Sequence, residues 1–262
     1  MNNESPWKAL LVVTATALMC SILVTVAAVT LQPIQQSYEN LDRIRVILGV
    51  SGIVDAADEL TEFQLAAAFQ DLQAQLVDLD RGVFDTSLNP LTFDASQSST
   101  DPQLSVEIPA SQNVAQLGRR SRFASVYLLQ DDRGLQKIIL PVYGQGMWST
   151  LYGFVVLEND LNTIAAMTIY EQGETPGIGD VITRPDWHAT WKGHKLFDEQ
   201  NNLRFSIVRG PANPDSPDAI YEVDGFAGAT LTSNGVANMI RYWFGPHGYA
   251  RFLANLAEGI VQ

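Results

Sequence analysis

Cysteine and histidine are scarce in this chain. Its 262 residues include one cysteine, Cys20, and three histidines, His188, His194 and His247. A single cysteine excludes a disulfide within the chain and any cysteine-rich metal or cluster site. The histidines lack a metal-ligand spacing such as HExxH, so we interpret them as surface or partly buried imidazoles.

Basic residues are also few. The chain has 16 lysines and arginines against 29 aspartates and glutamates, which gives a net charge of -13 and a pI near 4.5. Nucleic acids and anionic membrane surfaces both attract basic protein surfaces, so we expect no nucleic-acid partner and no peripheral binding to an anionic leaflet. A GxGxxG nucleotide-binding motif is also missing, which argues against direct hydride acceptance from NADH.

An uncharged apolar segment lies near the N-terminus, from Ala9 to Leu31. Its polar side chains are mainly Thr and Ser, which can bond to their own helix backbone. At about 1.5 Å per residue the segment spans roughly 34 Å, enough for a bilayer core of about 30 Å. We expect a short tail at residues 1–8 and a transmembrane anchor at residues 9–31. A cleaved signal peptide, with Ala27-Ala28-Val29 imitating a cleavage site, is the alternative.

The charges that flank this segment do not decide its orientation. Lys8 and the amino terminus lie on one side, and Arg43 and Arg45 lie on the other. The positive-inside rule therefore leaves the direction open. Because no second hydrophobic span follows, we expect a single-pass chain with a large aqueous domain.

Two helices and a polar excursion are predicted after the anchor. Residues 33–48 predict a helix that continues out of the anchor. Residues 58–79 predict a second helix, because apolar side chains recur at spacings of four and three. These apolar positions are Leu65, Phe69, Leu72, Leu76 and Leu79. Residues 94–116 are rich in Ser, Gln, Asp and Pro and predict a surface loop or extended excursion.

The remainder of the chain is rich in predicted strands. Residues 125–129 and 137–142, with Gly134 between them, predict a hairpin. Further strands are predicted at 153–157, 164–170 and 204–208, and helices at 233–244 and 248–256. Because strands and helices do not alternate regularly, we predict an α+β fold: a transmembrane helix, then a mixed or antiparallel sheet domain with packed helices. We assign juxtamembrane helices to residues 32–82 and the α+β domain to residues 83–262.

One segment with chemical potential reads VDGFAGATLTSNGV, from Val223 to Val236. Small residues precede Thr230, and residues 232–234 are types that favour helix N-caps, so we expect a helix to begin just after Thr232. A phosphate esterified to Thr230 would lie beside the unpaired N–H groups and positive dipole end of that helix. The small residues would let a bulky planar group approach the backbone. An ordinary glycine-containing turn that caps a helix explains the same residues.

A second segment reads YEQGETPGIGD, from Tyr170 to Asp180. Pro176 sets φ, and Gly177 permits the positive φ that a type II turn requires. Such a turn exposes backbone amides that could face a ring system. A plain surface turn is the alternative interpretation.

Together the two segments resemble the covalent FMN-binding domain of the C subunit of the sodium-translocating NADH:quinone oxidoreductase, which also occurs in the G subunit of the Rnf complex. The family pattern is an Asp followed by Ser/Thr-Gly-Ala-Thr, and Asp224, Gly228, Ala229 and Thr230 match it. The family's ETPGLG run appears as ETPGIG, and residues 146–154, GMWSTLYGF, are close to the GLWSxMYGF pattern of the C subunit.

The resemblance extends over nearly the whole chain, including the N-terminal anchor and the length. The segment that contains Trp148 favours the C subunit over the Rnf relative. The chain departs from the family at Ala227, where the motif has Ser, and at Gln172, where a His is common before the ETPGLG run. Both departures bear on how efficiently the chain would be modified, since the acceptor hydroxyl is retained.

The resemblance implies that FMN is carried as a phosphoester on Thr230, in an FMN-binding region at about 140–245. Gly228 and Ala229 belong to the attachment motif, and Thr232 would help to hold the phosphate. Asp224 would assist the flavin-transferase, or else cap a turn. Contacts to the isoalloxazine would come from Glu174, Thr175, Gly177, Ile178 and Trp148. For Trp148 an ordinary core position is the competing interpretation.

The function implied by the resemblance is electron relay within a sodium-translocating NADH:quinone oxidoreductase. The chain would be a single-pass protein of the bacterial inner membrane, with residues 1–8 in the cytoplasm and the large domain on the periplasmic side. Its partners would be flavin- and iron-sulfur-bearing subunits, and a flavin-transferase during maturation. The alternatives are a component of an Rnf complex that resembles its G subunit, and an extracytoplasmic ligand-binding or sensor domain. A stand-alone flavin enzyme is a third, although no acid–base constellation surrounds His188 or His194.

Overall fold

The structure, a computed structural model, describes residues 6–55, 60–226 and 228–261. The chain divides into two compact units, Met1–Arg45 and Val46–Gln262. Helix α1 (Pro6–Ser51) begins in the first unit and ends in the second. Within its N-terminal part, Pro6–Gln32, the most apolar stretch has a mean hydropathy of 2.4 and no buried residue. By length and composition this part can cross a membrane, as predicted for residues 9–31.

The helix predicted at residues 33–48 belongs to α1, which continues to Ser51 without a break. Gly52 follows with φ +79°, a backbone conformation that glycine adopts at little cost. The chain therefore leaves the helix at the Ser51-Gly52 pair.

Six strands form the main sheet of the second unit. The strands of the described chain are β1 (Leu72–Asp78), β2 (Val83–Asp85), β3 (Ser105–Glu107), β4 (Arg119–Ser121), β5 (Phe123–Asp131), β6 (Gly134–Gln145), β7 (Thr150–Glu158), β8 (Ile164–Glu171), β9 (Ser206–Ile207) and β10 (Glu222–Val223). The main sheet has the order β2-β1-β5-β6-β7-β8, with every neighbouring pair antiparallel. Strands β3 and β4 form an antiparallel pair, and β9 and β10 form a parallel pair.

Short helices connect and cover the strands. The α-helices that follow α1 are α2 (Glu62–Phe69), α3 (Ala95–Thr100), α4 (Pro185–Thr190), α5 (Thr230–Trp243) and α6 (Ala250–Ala257). Two 3₁₀ turns lie at Asp180–Thr183 and Ala219–Tyr221. This arrangement confirms the predicted α+β fold with an antiparallel sheet and an N-terminal apolar helix.

Helices pack on both faces of the sheet. Val126 of β5 belongs to the same hydrophobic cluster as Met239 and Trp243 of α5. The next residue, Tyr127, packs its ring against Phe69 of α2, with 5.7 Å between ring centroids. Successive side chains of a strand point to opposite faces, so α5 and α2 lie on opposite sides of the sheet.

The predicted hairpin of residues 125–129 and 137–142 is confirmed by β5 and β6. Asp131 pairs with Gly134, which leaves a two-residue loop, and Gly134 has φ +105°. The strands predicted at 153–157 and 164–170 correspond to β7 and β8, and the strand predicted at 204–208 is reduced to the two residues of β9. The helix predicted at 248–256 is α6.

The prediction of one helix over residues 58–79 is wrong in its second half. The helix ends at Phe69, and Leu72–Asp78 form strand β1, which pairs with β5. A spacing of four residues places Leu72 and Leu76 on one side of a helix and equally on one face of a strand, so it cannot distinguish the two. The predicted start at Asp58 lies outside the described residues.

The segment 94–116 is more ordered than the predicted loop. It contains helix α3 and strand β3. Asp94 caps the helix, because its carboxylate accepts hydrogen bonds from the backbone N–H groups of Ser96 and Gln97. Polar composition suggested a loop, but the Asp94 cap supplies the bonds that a short helix needs at its first turn.

Candidate functional site

Three separate segments of the second unit surround one cavity of about 180 Å³. They are the turn between β6 and β7, the ETPGIG turn that follows β8, and the first turn of α5. The lining residues are Met147, Trp148, Glu174, Thr175, Ile178, Gly179, Gly228, Ala229, Thr230, Leu231 and Thr232. The sequence predicted eight of these residues as parts of one site or of its attachment motif, and the structure brings them together: Trp148, Glu174, Thr175, Ile178, Gly228, Ala229, Thr230 and Thr232.

Helix α5 begins at Thr230, three residues before the predicted start at residue 233. Gly228 has φ +91°, which turns the chain into the helix in a conformation that other residues rarely adopt. In the described chain, the N-cap Ala229 offers no side-chain hydrogen bond and the first turn has no acidic residue. The positive end of the helix dipole therefore faces the cavity, and the first turn of the helix supplies no acidic side chain to neutralise it. Ala227, where the family has Ser, lies outside the described residues.

The ETPGIG segment forms the predicted tight turn. Gly177 has φ +74°, and the backbone N–H of Ile178 donates to the carbonyl oxygen of Thr175 at 3.1 Å. This hydrogen bond and the positive φ are the features expected of a type II turn with Pro at its second position. Gly177 shapes the turn without lining the cavity, while Thr175 and Ile178 lie in the cavity wall.

Glu174 joins the three segments. Its carboxylate accepts the backbone N–H groups of Met147, Trp148 and Ser149 at 3.2, 3.0 and 3.3 Å. It also accepts the hydroxyl of Thr232 at 2.6 Å. Burial by itself raises the pKa of this carboxyl, but the hydrogen bonds from Thr232 and the three amides outweigh burial and hold the pKa of Glu174 below its usual value. The group is therefore ionised at neutral pH.

Two glycines make room for this carboxylate. A Cβ at Gly146 would lie 2.6 Å from Oε1 of Glu174, and a Cβ at Gly179 would lie 2.8 Å from its Cβ and 3.0 Å from Oγ1 of Thr232. Real Cβ atoms essentially never show contacts shorter than 3.0 Å. Both positions therefore require glycine for Glu174 to keep its partners.

The hydroxyl groups at the start of α5 differ in accessibility. Thr232 is 2% exposed and donates to Glu174, and Ser233 is buried as well. Thr230 is half-buried and lines the cavity. Of the three hydroxyl-bearing residues in this turn, Thr230 is the one that a reagent in the cavity can reach.

The rim of the cavity is apolar and exposed. Met147, Ile178 and Leu231 are each about half exposed or more, and Trp148 is 65% exposed. The competing interpretation of Trp148 as a core residue is therefore wrong: Trp148 lies in the turn between β6 and β7, outside the sheet. Sequence reasoning missed Met147, Gly179 and Leu231. For Leu231 the signal was an apolar residue between two threonines of the motif.

Asp224 lies apart from this cavity. Its side chain accepts the backbone N–H of Ala212 at 2.7 Å, and its carbonyl oxygen accepts the indole N–H of Trp187 at 2.7 Å. It lines a different cavity of about 410 Å³, formed by residues 190, 192–194, 212–214, 219–220 and 222–224. These bonds tie the loop that leads to the attachment motif to residues 187 and 212.

Comparisons with known proteins match the whole chain and the site. The FMN-binding domain family matches residues 146–245. The C subunit of the Na(+)-translocating NADH-quinone reductase of Pseudomonas aeruginosa is 42% identical over 259 residues, 98% of each chain. The C subunit of the Yersinia pestis enzyme is 41% identical over 262 residues, which is 100% of this chain and 97% of that protein.

Solved structures agree with these relatives. The crystal structure of Shewanella oneidensis NqrC has a TM-score of 0.76 at 32% identity and covers 85% of this chain and 99% of its own. The C subunit of the Parabacteroides distasonis enzyme, at 24% identity and a TM-score of 0.64, supports the fold. These matches confirm the resemblance stated from the sequence. The chain therefore belongs to the NqrC family, the C subunits of the Na(+)-translocating NADH-quinone reductase.

Proposed function

We propose that this chain is an electron-transfer subunit that carries FMN joined by a phosphoester to Thr230. Bound FMN supplies the redox chemistry, and the protein supplies its position and electrostatic surroundings. The proposal combines the FMN-binding domain match over residues 146–245 with the geometry around Thr230. A covalently held flavin cannot dissociate, which suits a fixed relay between other redox centres.

The accessibility of the hydroxyl groups in α5 carries the assignment to Thr230. The hydroxyl of Thr232 is buried and donates to Glu174, and Ser233 is buried. The side chain of Thr230 lies in the cavity wall at the first residue of the helix. An ester at its oxygen would place the phosphate at the helix N-terminus, where backbone N–H groups without intrahelical partners favour an anion.

The small residues before Thr230 fit the same group. Gly228 has open space where a side chain would stand, and Ala229 adds only a methyl group. A phosphate and its ribityl chain can therefore approach the backbone beside the cavity. Thr232 would support the site indirectly. Its hydroxyl donates a hydrogen bond to Glu174, which holds the first turn of the helix in place.

The apolar rim would hold the isoalloxazine. Trp148, Ile178, Met147 and Leu231 expose apolar surface around the cavity, and Thr175 adds polar groups at its edge. Single exposed apolar residues are ordinary, but a contiguous group around one cavity marks a binding surface. Asp224 would act at a distance by holding the loop of the attachment motif, which is the segment a flavin-transferase would have to recognise.

The proposed location is the bacterial inner membrane, with α1 as a single anchor and the second unit on the periplasmic side. The support for an anchor is the apolar stretch Pro6–Gln32. The partners would be the other subunits of a Na(+)-translocating NADH-quinone reductase, as the names of the relatives indicate. One uncharged helix offers no path for an ion, so sodium translocation would belong to the assembled complex.

The intact mass of the full chain tests the attachment. After co-expression with a flavin-transferase, the wild-type chain should gain the mass of FMN less one water, and fragmentation should place the gain on Thr230. Thr230→Val should abolish the gain. Thr175→Val, which removes another exposed hydroxyl from the same cavity wall, should keep it. A Thr230→Val chain that still carries the added mass would refute the assignment.

A further inference from the structure

Glu174 has a bonding pattern that a simple contact to a ligand does not require. An ionised carboxylate offers about four acceptor positions, and this one receives four donors: three consecutive backbone amides and one hydroxyl. The donors come from the Met147–Ser149 turn and from the first turn of α5, about 25 and 58 residues away along the chain. Glu174 itself belongs to the third segment of the cavity wall.

We infer that Glu174 is a positioning residue that clamps the Met147–Ser149 turn to the start of α5 and keeps a fixed negative charge in the wall of the flavin cavity. The inference rests on the proposed function, because it concerns the same cavity. It assigns to Glu174 a role behind the flavin site in place of the direct isoalloxazine contact that the resemblance implied.

The geometry requires both the shape and the charge of this side chain. The glycines at 146 and 179 leave a niche in which the carboxylate contacts all four donors. Glutamine has nearly the same shape, but its amide nitrogen cannot accept a hydrogen bond. In Glu174→Gln the NH2 group would replace one of the two oxygens. It would then face either the donors that now reach Oε2, from Met147 and Thr232, or the amides of Trp148 and Ser149 that now reach Oε1.

The charge would act on the flavin as well as on the protein. No lysine or arginine occurs among the described residues that line the cavity, so the carboxylate is balanced by N–H dipoles and a hydroxyl and not by a full positive charge. Reduction adds negative charge to a flavin, and a nearby fixed negative charge opposes that change. Replacement of Glu174 by a neutral side chain should therefore make the flavin easier to reduce.

The test compares flavin midpoint potentials of full-length chains, co-expressed with a flavin-transferase and extracted in detergent. The expected result for Glu174→Gln is a shift to a more positive potential. Glu171→Gln is the matched control, because it removes the same charge from an exposed position at the end of β8, and its potential should equal that of wild type. Thr232→Val should weaken the clamp and reduce flavin loading, and Thr232→Ser, which keeps the hydroxyl, should restore it.

The outcomes separate this inference from the proposed function. If a Glu174→Gln chain melts like wild type but carries no flavin, Thr232→Val decides, because it breaks one bond of the clamp and keeps the charge. Loss of flavin from Thr232→Val as well supports the clamp, and wild-type loading of Thr232→Val overturns it. A Glu174→Gln chain with wild-type loading and the same potential as Glu171→Gln overturns the inference alone. A wild-type chain that carries no flavin overturns the proposed function together with the inference.

Discussion

At the scale of single residues, Thr230 and Thr232 show how identical side chains two positions apart take different roles. Residues i and i+2 of a helix do not face each other, so one threonine can point toward solvent while the other points inward. Thr232 meets Glu174, and Thr230 stays accessible in the cavity wall. The helix geometry therefore decides which hydroxyl stays accessible from the cavity, without any difference in residue type.

His188 should make the stability of the domain depend on pH. Burial lowers its pKa below the ordinary value of 6.5, against smaller opposing effects of the Ile182 carbonyl and Asp186. The unfolded chain then binds a proton more readily than the folded chain, so stability should be full above about pH 6.5 and fall as the pH drops below that value. The slope cannot exceed about 1.4 kcal/mol per pH unit for one proton. Glu174, with its pKa lowered from 4.5, contributes only at more acidic pH.

Thermal or urea unfolding between pH 7.5 and 5 measures this effect. His188→Asn should flatten the slope in that window, since an amide has no proton to gain. His194→Asn is the control, because His194 is only partly buried and its ring contact to Ile220 lies at the surface; this chain keeps His188 and should keep the slope. Equal slopes for wild type and His188→Asn would contradict the prediction.

The sequence predicts which residues line the candidate site more readily than it predicts what each residue does there. Thr230 and the turn at Pro176-Gly177 follow from local chemistry, because a helix start and a type II turn are decided within a few residues. The role of Glu174 depends on hydrogen-bond donors from segments distant in sequence, and no local sequence pattern predicts those bonds. The core interpretation of Trp148 failed for a related reason: an aromatic residue reads as core unless the tertiary structure leaves it at a rim.

At the scale of elements, α5 packs on the end of β6 with little space between backbones. A Cβ at Gly235 would lie 2.8 Å from the carbonyl oxygen of Gln145 and 3.0 Å from Cα of Gly146. A glycine inside a helix ordinarily costs about 1 kcal/mol relative to alanine. Here it permits the close approach that brings the first turn of α5 to the turn after β6.

Gly235→Ala should therefore destabilise the protein although alanine is the better helix former. We expect a net loss of about 1–3 kcal/mol, as is typical of overpacking against groups that cannot move. Urea unfolding of the detergent-solubilised chain measures it. Asn234→Ala, at an exposed position of the same helix, should be neutral or slightly stabilising. A Gly235→Ala chain at least as stable as wild type would show that the two backbones can separate without cost.

Strands β5 to β8 and the last two helices were predictable because their apolar patterns are consistent. The error at β1 arose where a four-residue spacing suits a helix and a strand equally, so that pairing with β5 decided the structure. The early start of α5 has a similar origin. Thr232 looked like a cap, but its hydroxyl is held by Glu174 from another segment.

At the scale of the whole molecule, the cavity is small for the group proposed to occupy it. Pockets that bury most of a drug-sized ligand measure about 300–1,000 Å³, and this one measures about 180 Å³. Part of a three-ring flavin would then remain outside the cavity, on the exposed apolar rim. An accessible edge is what electron transfer to another protein of the complex requires.

A neutral quencher should detect this exposure. Acrylamide is expected to quench the flavin fluorescence of the native, flavin-bearing chain. The quenching constant should be a large fraction of the one measured after the chain is unfolded in urea. A neutral molecule is preferred to iodide, because a chain of net charge -13 repels anions. Quenching close to zero in the native chain would mean that the ring is enclosed, and the exposed-edge interpretation would then be wrong.

The one thiol of the chain has a useful position. Cys20 lies exposed near the middle of the apolar stretch Pro6–Gln32, so a nitroxide attached there would sample the bilayer centre if this helix spans the membrane. In vesicles its spin relaxation should then respond strongly to dissolved oxygen and weakly to a water-soluble nickel chelate, and the reverse response would place the segment at the interface. The natural sequence thus offers a depth gauge without any engineered cysteine.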